Sequence, residues 1–183
     1  MNSGSEPEYG LIPENTIIII VNNITVSAKN ISAFSLSKNS MILGIAYDNN
    51  GNSITPVIDF GDSVIESELI NINEGMIVEI TIQKLELRYM SSNGGSFAPI
   101  KFNKGVIAKL TFDDCIVKGF NSTQVAGLNY LNSGVIRDSK VINYNISSQK
   151  WLALICYTNN GRVSNTTASN GTYSGSLNTS GVS

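Results

Sequence analysis

Histidine is absent from this chain of 183 residues, and that gap removes much familiar enzymology. Without imidazole there is no Ser-His-Asp or Cys-His triad, no imidazole-ligated metal site and no histidine switch near neutral pH. Charge is scarce too: charged residues make up 14%, with 12 Lys+Arg against 14 Asp+Glu. So even a balance leaves no basic footprint for nucleic acid and no polybasic face for anionic lipid. Long apolar runs are missing. The first, Ile17 to Val21, is too short for a membrane span, and the preceding MNSGSEPEYGLIPEN lacks a basic n-region, so neither membrane insertion nor a classical export signal is expected. The only cysteines, Cys115 and Cys156, form neither a metal pattern nor a disulfide framework and read as buried thiols. No cofactor is expected.

What is present is a β composition. Ile (24), Asn (23) and Ser (24) dominate, while the helix formers Lys, Glu, Ala and Leu are sparse. Asn, Ser, Gly and Thr suit tight turns and polar ladders, so many short strands joined by many turns are expected. The length suits one domain with a real core.

A six-residue pattern recurs: apolar, two polar or small residues, a small or apolar residue, any residue, apolar. Its copies start at Val21, Phe60, Ile82, Phe112, Ile136 and Val163, with a weaker one at Leu36. Ala126, Leu128, Tyr130, Asn132, Gly134, Ile136, Asp138 and Ser139 also fall 27 residues before Ala153, Ile155, Tyr157, Asn159, Gly161, Val163, Asn165 and Thr166. A unit of about 25 residues with short alternating strands and Gly/Asn turns predicts a parallel β-solenoid of six to seven coils. Coils about 4.8 Å apart stack equivalent side chains into ladders. The frame then predicts an inward column through Phe112, Ile136 and Val163, and an outward one through Lys84, Asp114, Asp138 and Asn165. Residues 1–16 read as a tail or cap, 17–168 as the solenoid, and 169–183 as a Ser/Gly/Asn-rich tail.

The stretch Ala126-Gly127-Leu128-Asn129-Tyr130-Leu131-Asn132-Ser133-Gly134-Val135-Ile136-Arg137-Asp138-Ser139 resembles the GLUG-type repeat of microbial surface adhesins. The periodic chain as a whole is similar to the right-handed, pectin-lyase-like β-helices. The first resemblance implies surface location and adhesion; the wider superfamily includes pectate lyases, polygalacturonases and viral tailspikes. A polygalacturonase-type Gly-His-Gly element has no counterpart in a chain without histidine.

Several side chains are candidates for chemistry. Asp113 and Asp114 are adjacent, and the frame places Asp138 one coil after Asp114. Two carboxylates about 5 Å apart suit general acid work, a cation or a retaining glycosidase. The structural alternative is a ladder in which Lys84 and Arg137 neutralise them. Arg137 and Arg162 are expected as stacked neighbours able to hold an anionic sugar, or as partners of acids such as Asp138. Trp151 with Tyr144 and Tyr157 is a candidate sugar-stacking platform, against a core cap at a coil corner. The stretch Asp48-Asn49-Asn50-Gly51-Asn52 superficially resembles a Ca²⁺ loop but lacks the distal Glu and reads as a turn, so no metal site is assigned. Glycosylation sequons begin at Asn23, Asn30, Asn121, Asn145, Asn165, Asn170 and Asn178.

The combined expectation is a non-catalytic structural and attachment module: a virion spike, fibre or capsid-associated protein that self-associates or contacts neighbouring subunits and surface glycans. The alternatives are a carbohydrate-active enzyme using Asp113, Asp114 and Asp138, and a cell-surface adhesin. An open solenoid end is a strand edge that invites covering.

Overall fold

The computed structural model describes residues 10–26, 31–61, 63–89, 95–120 and 124–177. Among them there is no helix; 25 strands form three sheets of parallel strands and one antiparallel hairpin. The first sheet has six strands, in the order Gly10–Ile12, Phe34–Leu36, Ile70–Asn73, Ile100–Asn103, Asn129–Asn132 and Cys156–Asn159. The second has ten, its long members being Met76–Gln83 and Val106–Asp113. The third has seven, including Glu86–Tyr89, Ile116–Gly119 and Asn145–Ala153. From residue 70 onward the chain visits first, second and third sheet and then returns to the first, one strand further along, so sequence-distant segments become nearest neighbours.

Apolar residues recur at the inward positions. Ile77, Ile107, Ile136 and Val163 lie in register in the second sheet. Five positions on, Ile82, Phe112, Val141 and Ala168 form a second column. Phe112, Ile107 and Ile136 are fully buried, and removing such side chains from water supplies the main favourable term of folding.

These registers correct the expected columns. Phe112 stacks on Ile82 and Val141, not on Ile136. The cause is in the pattern itself, which occurs twice per circuit: Ile107 to Phe112 and Phe112 to Val117 both satisfy it and share Phe112. Joining Phe112 to Ile136, 24 residues on, slips from one frame to the other, since the strand offset is 29. The 27-residue match holds as pairing: Ala126, Asn129, Asn132 and Ile136 oppose Ala153, Cys156, Asn159 and Val163.

In both frames the third position turns the chain with positive φ, at Glu79, Lys109, Asp138 and Asn165 in one and Lys84, Asp114, Asn143 and Asn170 in the other. Asn and Asp tolerate this conformation through local hydrogen bonding; Lys and Glu adopt it at some cost. The segments read as tails both contain strands: Gly10–Ile12 pairs with Phe34–Leu36, and Thr172–Leu177 pairs with Asn145–Ala153. Asp48–Asn52 closes the hairpin of Ala46–Tyr47 and Ser53–Ile54, with Asp48 Oδ1 accepting from the amides of Asn50 and Asn52 at 2.8 Å each.

Candidate binding surface

The corner between the first and second sheets repeats one short motif: Asn73-Glu74-Gly75, Asn103-Lys104-Gly105, Asn132-Ser133-Gly134 and Asn159-Asn160-Gly161. The asparagines stack in register with their side chains inward. The amide nitrogen of Asn73 donates to Oδ1 of Asn103 at 2.7 Å, that of Asn103 to Asn132 at 2.7 Å, and that of Asn132 to Asn159 at 2.8 Å. Asn73, Asn103 and Asn132 are wholly buried, where a paired amide is favourable and an unpaired one costly. At one end Asn73 faces Leu36, and Asn73 Oδ1 has no donor. The glycines let the corners nest: a Cβ on Gly105 would stand 2.0 Å from the carbonyl oxygen of Gly75, and one on Gly134 2.1 Å from that of Gly105. In the 27-residue match Asn132 and Gly134 stand only as members of a repeat. The Asn-x-Gly spacing recurring at 73, 103, 132 and 159 was the signal that would have revealed the buried ladder.

Just past this corner, the outward face of the second sheet carries two apolar columns. One runs Ile17, Met41, Met76, Val106 and Val135; the other runs Ile19, Leu43, Val78 and Ala108. Outward positions on a solvated sheet are ordinarily polar. Here Ile17 is 62% exposed and Ile19 52%, and most of the others are half-buried. Arg162 and Arg137 continue the two columns in turn. The strip is edged by ion pairs between successive levels: Lys104 to Glu74 at 3.0 Å on one side and Lys109 to Glu79 at 3.4 Å on the other.

The individual candidates are dispersed. Asp138 does not follow Asp114: its neighbours in the column are Lys109 and Asn165, whereas Asp114 lies between Lys84 and Asn143. Asp138 receives 2.7 and 2.9 Å hydrogen bonds from Asn165 and Arg137. These, with the positive charge of Lys109, hold its carboxyl below the ordinary value. Asp113 accepts from Asn143 at 2.7 Å, while Lys84 pairs with Asp59 at 3.3 Å. A cavity of about 190 Å³, lined by Gly61, Lys84, Leu85, Glu86, Asp114 and Ile116, is smaller than typical small-molecule sites of roughly 300–1,000 Å³. No group of three Cys, Asp or Glu suited to a metal occurs among the described residues.

The arginines are not stacked neighbours, since Arg137 opposes Ser164 and Arg162 opposes Val135. Nor does an aromatic platform form: Tyr144 is buried in the core, Tyr157 stacks on Tyr130 at 5.1 Å, and Trp151 is 45% exposed on the third sheet. Gly171, at the equivalent position beside the paired strand, lies against the Tyr144 ring, where a Cβ would stand 2.4 Å from it. Of the sequons, Asn23, Asn145, Asn165 and Asn170 are exposed, although Asn23 already accepts from the Val57 amide and Asn165 donates to Asp138. Asn30, Asn121 and Asn178 lie outside the described residues. Both thiols are free and buried. No family model, curated protein or solved structure matches the chain.

Proposed function

We propose that the chain winds as a right-handed parallel β-helix of about six turns and serves as a non-catalytic structural and attachment rod on the surface of a particle, a virion spike, fibre or capsid-associated protein. The observation that carries this reading is the Asn73–Asn103–Asn132–Asn159 ladder, buried at its first three members, which fastens the last four of the six levels of the first sheet to one another and stiffens that part of the stack. The separation of Asp138, held by Asn165 and Arg137, from Asp113, held by Asn143, and its neighbour Asp114 favours scaffold over catalysis, and the apolar outward strip favours contact with other macromolecules. The role is argued from surface and stiffness, since a fold alone does not determine function.

Immunogold labelling of the native particle tests the reading. Label on the exterior of intact particles is expected; label confined to the interior, or to soluble protein, would overturn it. Turnover of an acidic polysaccharide that disappears in Asp114→Asn would establish an enzyme instead.

A further inference from the structure

We infer that the apolar outward strip of the second sheet is the contact face of a two-fold dimer in which two copies pack sheet against sheet with their stacking directions opposed. This rests on the rod reading above and assigns its self-association to one face and one orientation.

With the strands of the two sheets kept aligned, as in face-to-face sheet packing, two identical faces can be brought together by a two-fold axis in two ways. If the axis runs along the stacking direction, both copies ascend together and the edge containing Glu74 and Lys104 faces the edge containing Glu79 and Lys109. Glu74 then opposes Glu79 of the second copy, and Lys104 opposes Lys109. If the axis runs along the strands, midway between Met76–Gln83 and Val106–Asp113, the copies ascend in opposite directions and each edge meets itself. Glu74 then opposes Lys104 of the second copy, and Glu79 opposes Lys109. The intrachain pairs at 3.0 and 3.4 Å become four-membered networks of alternating sign on both flanks of an apolar centre. Charge complementarity of this kind selects register and rejects the like-charged alternative.

The opposed arrangement also deals with the two ends of the strip. The most exposed residue on it, Ile17, lies over Arg162 of the second copy, whose alkyl stem covers apolar surface while the guanidinium reaches water. Leu43 lies over Arg137 in the same way. Six levels at about 4.8 Å and five residue steps at about 3.3 Å give a patch of roughly 29 by 17 Å. Over two copies that is about 1,000 Å² before side-chain relief, the lower bound for a specific interface.

Sedimentation equilibrium of the full chain, combined with small-angle scattering, tests the proposal. The expected result is an assembly of twice the 19.6 kDa chain mass at micromolar concentration. Val78→Lys, on the outward face, should weaken association at least tenfold. The double variant Lys104→Glu/Lys109→Glu should do the same, and adding Glu74→Lys/Glu79→Lys should restore it. Orientation is read by mixing Ile17→Cys chains with Arg162→Cys chains under oxidation. A disulfide between the two kinds of chain is expected, whereas self-crosslinking of Ile17→Cys would overturn the opposed arrangement. An elongated particle that stays at 19.6 kDa at every concentration, including one that binds lipid vesicles or another protein through the strip, overturns the dimer and leaves the rod reading standing. A particle that scatters as a compact sphere removes both.

Discussion

The side-chain amide of Asn103 donates to Oδ1 of Asn132 across 2.7 Å, with both residues wholly buried. Each interior asparagine of this ladder, Asn103 and Asn132, is donor to one neighbour and acceptor from the other, so it satisfies two partners at once. Asn103→Leu leaves the Asn73 amide and Asn132 Oδ1 without those bonds. Asn132 Oδ1 keeps the Gly134 amide at 3.2 Å, while the Asn73 amide keeps only a 3.5 Å contact to the Val106 carbonyl. At about 1–3 kcal/mol for one buried group left poorly paired and about 1 kcal/mol for the other lost bond, a loss of about 2–4 kcal/mol is expected in urea unfolding. Asn159→Leu, at the exposed end, should cost about 1 kcal/mol. Equal losses at the two sites would show that the ladder does not hold the levels together.

The glycine at each corner makes a sharper case. A Cβ on Gly105 would sit 2.0 Å from a backbone oxygen, whereas one on Gly10 would meet Phe34 Cβ at 3.7 Å, an ordinary contact. Gly105→Ala should therefore cost about 3 kcal/mol through overpacking, a fall in Tm of roughly 6–12 °C. Gly10→Ala should change Tm by about 2 °C or less. Differential scanning calorimetry of the pair decides the matter.

Acid sensitivity should come from particular carboxylates. Asp138 is held below its usual value near 3.8 by the Asn165 amide, then Arg137 and Lys109. Asp59 is held below it by the Gly61 amide, Gln83 and Lys84. A carboxyl with a lower pKa folded than unfolded binds fewer protons when folded. Its stabilisation is present above the unfolded value and lost as pH falls through the folded one. With no histidine in the chain, Tm should be nearly flat between about pH 5 and 8 and should drop below about pH 4. Asp59→Asn/Asp138→Asn should shrink the difference in Tm between pH 7 and pH 3. An unchanged difference would place the acid response elsewhere.

Both thiols should be inert until the chain unfolds. Burial pushes Cys115 up to about 12 and Cys156 up to about 11, and only the thiolate reacts. Iodoacetamide at pH 8 should leave the native protein unlabelled, and two adducts should appear by mass spectrometry once urea has unfolded it. Rapid native labelling of Cys115 would contradict the packing around Ile82 and Asp113, whose carbonyls its Sγ faces.

The parallel strands and inward apolar positions were legible because burial imposes a chemical period that survives in one sequence. The pairing of Asn132 with Asn159 and of Ile136 with Val163 could be read from a constant offset of 27. The strand levels before it could not, because their offsets lengthen to 29 and 30 and a doubled pattern gives two self-consistent frames. The error on Asp114 and Asp138 followed directly. Either frame keeps Phe112 inside, so hydrophobicity alone does not choose between them.

Composition and periodicity by themselves determined that this protein is built from strands, which side chains turn inward and which chemistries lack their reagents. Those are properties of each residue and its near neighbours. Tertiary structure decided which carboxylate meets which partner, that the corner asparagines form one buried ladder, and that Met76, Val106 and Val135 join into an outward apolar strip. Each of these depends on the alignment of segments about thirty residues apart, and that alignment is set by backbone pairing and corner packing summed over every level at once.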